Sequence, residues 1–552
     1  MIKQLDRRFA ALKTDHDDFL PLYRDVSKYI LPWAGRFVEE GTDKTTRTYK
    51  HIVDDTGTKA VVKLAAGIMN DTMSPTEEWF SLAIDGSNVD LDHASKAWLD
   101  DATELMMSVL AKSNAYGVSQ QMIELIAGFG TACAFIDDDI EKVIHLHLFE
   151  PGEFYIAANA KGIVDTVYRE FNMTVAQLVD MFGIDNVSDR ARNLYNKGTL
   201  DTQILVRHAI EPRLKRDSTS KLAKDMKFKS CYWEVAGNNN RTLRESGFKR
   251  FPCLVPRWAV FSQNAYGNSP GFQAIGAIKQ LQLEQTRKSE AIDYQVKPPL
   301  QVPASMKNRE NEYFPGGISY YDATAGAIGG VKTAFEVRLD LSALREDIQD
   351  VRNRIDSAFF GHLFTLITDV DRQTTAYEVA AREQEKATLL GPVARRLNNE
   401  LHTQLINILF ERMFDAELFE APPESMQGQV LNVVYKSAFE DAAKAKTVAG
   451  LDRFFGIVAN VAQFAPQSLD KVDIDKIIDA YADGLGVDPD VLAQEEVIQG
   501  TRDARAQAQQ QAQQQAQALE LAKVTANAPA TGTVMSTAME KMGQNATQTS
   551  NI

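Results

Sequence analysis

Cysteine is scarce in this 552-residue sequence: Cys133, Cys231 and Cys253 stand far apart, with no Cys-x-x-Cys pair. A disulfide framework and a zinc cluster are therefore not expected, and a reducing cytosol is the default place of synthesis. No run of 18 apolar residues occurs, so no membrane-spanning helix is expected. The start, Met-Ile-Lys-Gln-Leu-Asp, has no apolar signal region. Basic excess is missing as well: 60 Lys and Arg face 75 Asp and Glu, a net charge of −15. Proteins that grip DNA by neutralising phosphates carry a basic surface, and this balance speaks against that class. It is compatible with a wall that DNA slides past, where a few placed cations hold the polymer less than a uniformly basic surface would. Plain solubility is the simpler account of the acidity.

Catalytic and metal motifs are equally thin. Gly267-Asn268-Ser269-Pro270-Gly271 fits the G-x-S-x-G pattern of a hydrolase elbow. That elbow needs the N–H of the residue after the serine, and Pro270 has none. A Gly/Pro turn opening a helix at Phe272 suits the residues better. Gly326-Ala-Ile-Gly-Gly-Val-Lys332-Thr333 lacks the glycine directly before the lysine of a phosphate loop. His145 and His147 alternate on a predicted strand without a carboxylate or cysteine spaced to complete a metal site. Asp137-Asp138-Asp139 lacks the spaced oxygens of a calcium loop. No enzyme, cofactor or metal is expected.

What is present is a long mixed pattern. The chain is long enough for two to four domains. Residues 2–30 read as helix, broken near Thr14-Asp15 and ended by Leu31-Pro32-Trp33-Ala34-Gly35. Helices follow at about 56–73, 92–112 and 117–129, with a strand at 79–84. From 131 the period shortens. Strands are expected at 132–136, 143–149, 154–157, 163–171, 204–210, 229–235, 251–255 and 257–261, and a short helix capped by Thr174 runs to Phe182. The fold class is α+β, mainly helical. Residues 271–360 are the most informative stretch. Two helices, to about Val296 and from Leu341 to about Phe360, flank an insertion rich in proline and glycine. Leu341, Leu344, Ile348, Val351, Ile355 and Ala358 form one seam of the second helix. In the first, Gln285 and Lys288 interrupt a seam of Ile275, Ile278, Leu281, Ile292 and Val296. A half-wet seam suits a helix packed beside copies of itself around an aqueous space. After 375 a capping box, Thr375-Ala376-Tyr377-Glu378, opens a long helix that Gly391-Pro392 should kink or split. Residues 440–500 read as short helices. An almost pure Ala/Gln stretch, 502–518, favours helix without an apolar stripe, and 525–552 are expected to be disordered.

The order of elements and several short stretches resemble the portal proteins of tailed bacteriophages, the head-to-tail connector family of short-tailed phages. The likeness is carried by Leu31-Pro32-Trp33-Ala34-Gly35-Arg36-Phe37, by Asp55-Thr56-Gly57 with Leu64-Ala65-Ala66-Gly67, and by Ser74-Pro75 with Trp79-Phe80. It continues in Tyr266-Gly267-Asn268-Ser269-Pro270-Gly271, in Thr374-Thr375-Ala376-Tyr377-Glu378-Val379 and in Leu390-Gly391-Pro392-Val393. These stretches span about residues 1–415.

The resemblance implies a wing over 1–270, stem helices at 271–297 and 339–360, and a clip at 298–338. A tunnel loop at 361–375, crown and wing-return helices at 376–500 and an Ala/Gln-rich helical or disordered tail at 501–552 would complete the subunit. It implies a non-enzymatic ring of about twelve subunits at one capsid vertex, made in the host cytoplasm. Implied partners are the terminase large subunit, tail adaptor and nozzle proteins, capsid and scaffolding proteins, and double-stranded DNA passing without sequence specificity. No membrane is implied. Stem membership and charge nominate Lys279, Lys288, Lys297, Arg338, Arg345 and Arg352 as channel cations. The tunnel-loop candidates are Phe364, Leu366, Ile367 and Arg372. Candidate docking residues on the clip are Lys307, Arg309, Tyr313, Phe314, Tyr320 and Lys332. The alternative is a channel-less internal virion or scaffold-like protein.

Overall fold

The computed structural model describes residues 1–35, 49–84, 93–235 except 218 and 221, 241–303 except 263, 316–321, 332–333, 341–364, 376–426 and 431–436. Further along it describes 448, 450–458, 460–461, 464, 472–485 and 495–526. The chain divides into two units, Met1–Ala443 and Lys444–Ile552.

Helices α1 (Ile2–Asp17) and α2 (Leu20–Tyr29) form the N-terminal rod. The expected break at Thr14 does not occur: α1 continues to Asp17, with the Thr14 hydroxyl donating to the Ala10 carbonyl at 3.0 Å. The chain breaks instead at Asp18-Phe19, ahead of Pro21. Proline sits there in the first turn of α2, where a missing N–H costs nothing. Helices α3 (Thr56–Thr72), α4 (His93–Lys112) and α5 (Ala115–Phe129) follow, with β1 (Phe80–Ile84) between α3 and α4.

The α+β class holds. Strands β2 (Cys133–Asp139), β3 (Val143–Phe149) and β9 (Cys253–Leu254) make an antiparallel sheet in the order β3-β2-β9. Strands β4 (Phe154–Ala158), β5 (Val164–Thr174), β6 (Gln203–Pro212), β7 (Phe228–Glu234) and β8 (Arg244–Phe248) make a five-stranded meander. Alternation along the strands serves two cores. Tyr155, Tyr168 and Trp233 pack under Leu5, Phe9 and Leu12 of α1. Ile156, Val167 and Ile210 face Phe135, Phe149 and Cys253 of the smaller sheet. Arg257–Phe261 is not a strand; it makes only isolated bridges, Thr131 with Arg257 and Ala259 with Asn268. Thr174 caps α6 (Val175–Phe182) in a full capping box with Gln177. Within this α+β region a strand and a helix go beyond the sequence pattern: the polar strand β8, and α7 (Asp189–Asn196), capped by Ser188.

Two long helices then cross the main core. Helix α8 spans Pro270–Val296 and α9 spans Leu341–Ala358. Between them lie β10 (Leu300–Pro303), β11 (Ile318–Tyr321) and β12 (Lys332–Thr333). Strand β10 is central, parallel to β11 and antiparallel to β12. Helix α10 (Ala376–Leu397) continues through Pro392, so of the expected kink or split the split does not occur. The irregularity comes later, as a π turn at Asn398–His402 that leads into α11 (Thr403–Asp415). Strand β13 (Leu431–Tyr435) returns to pair antiparallel with β1, Phe80 opposite Tyr435. Thr375 of the expected capping box lies outside the described residues, although α10 starts where that box places it.

In the second unit, residues 450–458 are helical, α12 spans Ile474–Leu485 and α13 spans Glu495–Ala526. From Thr501 to Ala516 every side chain of α13 is exposed, as the missing apolar stripe requires. Residues 527–552 lie outside the described residues.

Candidate functional site

The α8–α9 pair is built from a strong start and a wet middle. Ser269, fully buried, caps α8: its Oγ accepts from the Phe272 N–H at 3.0 Å and donates to the Gly128 carbonyl at 2.8 Å. With both capacities used and Pro270 following, this serine is a fastener and not a nucleophile. Gly130 ends α5 at φ +81°, and a Cβ there would meet the Gly267 carbonyl oxygen at 2.2 Å, so only glycine lets these two turns cross.

The polar interruption in the α8 seam has an internal cause. Gln282, buried, accepts from the backbone N–H groups of Val53 and Asp54 (2.7 and 2.9 Å) and donates to the Asp54 carbonyl (2.8 Å). Gln285 donates to the Asp54 carboxylate at 2.9 Å, and Arg352 of α9 donates to the same oxygen at 2.6 Å. The other carboxylate oxygen accepts from the Thr56 backbone N–H (2.9 Å) and from the Thr56 hydroxyl. Burial by itself pushes the Asp54 carboxyl up. The hydrogen bonds from Thr56 and Arg352 outweigh that and hold it below its usual range. One carboxylate thus joins α3, α8 and α9. The junction accounts for Gln285 in the seam; Lys288, the other interruption, takes no part in it. On the dry side, Ile348, Val351 and Ile355 of α9 and Ile278 and Leu281 of α8 are buried.

The six nominated cations separate. Arg352 is taken by Asp54, and Lys279 lies 2.5 Å from Asp25 of α2. Lys288 on α8, Lys297 at its C-terminal end and Arg345 on α9 have no carboxylate partner among the described residues; Lys297 and Arg345 are exposed and Lys288 is half-buried. Arg338 lies outside the described residues. Phe364, last residue of the 3-10 turn Gly361–Phe364, lies on Gly67 of α3, where a Cβ would meet its ring at 2.1 Å. Lys386 of α10 stands 4.9 Å from the ring centroid and pairs with Asp71 of α3 at 2.6 Å. Phe364 is therefore wedged between two helices of its own chain. Leu366, Ile367 and Arg372 lie outside the described residues, as do Lys307, Arg309, Tyr313 and Phe314. Tyr320 is half-buried in β11, opposite Val302, and Lys332 lies in β12 opposite Gln301.

A second anchor was not foreseen from the sequence. Arg257, fully buried, makes a two-pronged pair with Glu400 of the π turn (2.6 and 3.2 Å) and donates to the carbonyls of Ala265 and Gly162. The extra residue of a π turn re-aims side chains, and here Glu400 meets that arginine. His402, in the same turn, is buried with Nδ1 against the Asn398 side chain, and burial lowers its pKa to about 3.

The chain matches the family described as "Bacteriophage head to tail connecting protein" over residues 2–492. It is 42% identical over 508 residues to a "Probable portal protein" of Bordetella phage BPP-1, covering 92% of this chain and 91% of that one. It is 37% identical over 511 residues to a "Portal protein" of Salmonella phage epsilon15, covering 92% of each. Among solved structures, a chain of the "Virion of native gene transfer agent (GTA) particle" aligns over 72% of this chain and 85% of its own. That match has 10% identity and a TM-score of 0.34, too distant to bear on the fold.

Proposed function

This chain belongs to the bacteriophage head-to-tail connecting protein family, and from that premise we propose that it is the ring-forming portal of a short-tailed phage. The family is structural, and the protein is not an enzyme; it is a virion component at the junction of head and tail. The finer reading is a ring of about twelve copies. Its α8–α9 pairs, repeated around the axis, line a channel that conducts double-stranded DNA inward during packaging and outward during ejection. The Pro/Gly-rich insertion between them docks the terminase large subunit and later the tail adaptor and nozzle proteins. Capsid and scaffolding proteins surround the wing.

The observation that carries this reading is the Asp54 junction. It clamps both long helices to α3 within one subunit, so each copy contributes a preformed two-helix stave instead of a flexible hairpin. Closed rings need a heterologous contact, and rigid staves fix the angle at which the ring closes. Lys288, Lys297, Arg345 and Arg338 are the channel cations this reading retains. A sparse set of cations on an acidic chain keeps DNA centred without holding it. Native mass spectrometry and negative-stain imaging of the purified protein test it. Rings with a central hole are expected; a strictly monomeric particle or a solid assembly would overturn it.

A further inference from the structure

The first unit carries two surface patches of opposite character. One is an open groove of ≈ 480 Å³ between α4 and the segment after α11. Its apolar wall is Trp98, Leu105, Leu418 and Phe419, of which Leu105 and Leu418 are 38% and 45% exposed. Its rim is acidic: Asp101, Glu104 and Glu420 line it, and none has a cation partner among the described residues. The other patch is the connection from β6 to β7, residues 213–227. Leu214, one residue past the Arg213–Lys227 hydrogen bond that ends the ladder, is 96% exposed, and Leu222 is 59% exposed. Around them stand Lys215, Arg216, Lys224 and Lys227, all exposed and without a carboxylate partner among the described residues.

The tip is held in shape. The Arg213 N–H donates to the Lys227 carbonyl at 2.8 Å, and the Arg213 guanidinium pairs with Glu245 at 3.1 Å. Asp217 accepts from the backbone N–H and hydroxyl of Thr219 (3.0 and 2.7 Å), and Ser220 donates to Asp225 at 2.6 Å. One exposed leucine is ordinary on a protein surface; what sets this one apart is the cluster of unpaired cations around it. The groove shows the converse, an apolar floor ringed by unpaired carboxylates.

We propose that these two patches meet between neighbouring copies of this chain: the 213–227 tip of one subunit seats Leu214 in the Trp98–Phe419 groove of the next, with its cations over Asp101, Glu104 and Glu420. The inference rests on the ring reading above. A cyclic assembly needs two different, mutually complementary patches on every subunit, and this pair matches in both polarity and sign. Sign matching of this kind fixes partner and register more than raw affinity. Two like patches would repel, so an isologous dimer through either one is disfavoured.

Site-directed cross-linking tests this on the full chain, whose three native cysteines are buried. The variant Leu105→Cys/Leu214→Cys, treated with a short bismaleimide, is expected to give a ladder of covalent multimers on denaturing gels. Each single variant is expected to remain a monomer, and adding Asp101→Lys and Glu104→Lys to the double variant should abolish the ladder. Rings in negative stain without a ladder would overturn this inference and leave the ring standing. Absence of rings altogether would instead strike the ring reading. Dimers from either single variant would show a like-with-like contact and also overturn the proposal.

Discussion

At the scale of single residues, most of the chemistry is structural charge. Asp54 is 5% exposed in its side chain and serves three elements at once. Removing Arg352 leaves a carboxylate short of its cation. Because the arginine side chain is 40% exposed, the loss is less than the 3–5 kcal/mol of a fully buried pair. Arg352→Ala and Asp54→Ala are each expected to cost about 2 kcal/mol, and the double variant less than the sum. Urea denaturation of the four proteins checks this. His402 gives a pH signature. Folded, its pKa is about 3; unfolded, it returns to 6.5. Between those values the unfolded chain binds a proton that the folded chain refuses. The histidine therefore subtracts nothing above pH 6.5 and destabilises progressively below it, by roughly 1.4 kcal/mol per pH unit. His402→Gln should flatten the stability–pH curve between pH 6.5 and 4 by up to that slope; an unchanged slope would refute it.

At the scale of elements, the legible ones were those whose period is local. The α9 seam, the Thr174 cap and the Ser269-Pro270 start could be read from spacing, because helix faces and caps are decided within a turn or two. Arg257–Phe261 misled because the short apolar run Trp258-Ala259-Val260-Phe261 reads like a buried strand, while only isolated bridges form. Strand β8 was hidden by polar residues, Arg244, Glu245 and Ser246, whose pairing is supplied by β7. Gln285 was visible as an oddity, but its partner lies more than two hundred positions earlier, and no local pattern reports such a distance. Glu400 was invisible for the same reason. Pro392 does not split α10 because its cost is finite: an exposed proline within a helix loses one hydrogen bond, and the buried Leu390, Ala394 and Leu397 keep the helix together around it. Pro392→Ala is therefore expected to stabilise the subunit by about 1–3 kcal/mol, read as a rise in midpoint temperature. A fall would mean that the proline is needed for the geometry of the following π turn.

At the scale of the whole molecule, the sequence revealed the order of elements, and that order was enough for the family. It did not reveal which cations are committed internally, since pairing with Asp25 or Asp54 is a property of the folded chain. The proposed division of labour between the helix pair and the insertion can be separated experimentally. Deleting residues 305–330 should leave a subunit that folds, because α8, α9 and the Asp54 junction lie outside the cut. The same subunit should fail to engage the packaging motor. Normal genome packaging by that deletion would remove the docking role from the insertion.

The pairing of Phe80 with Tyr435 sets a clock on biosynthesis. Strand β1 emerges from the ribosome early, and its only hydrogen-bonded neighbour among the described strands is one of the last parts of the first unit to be made. At about 5–20 residues per second, its edge waits roughly 20–70 s for closure. Any subunit contact made before then is made with β1 still unpaired. A nascent chain cut short before β13 carries an open β edge, the kind of surface that chaperones hold and that aggregates seed upon.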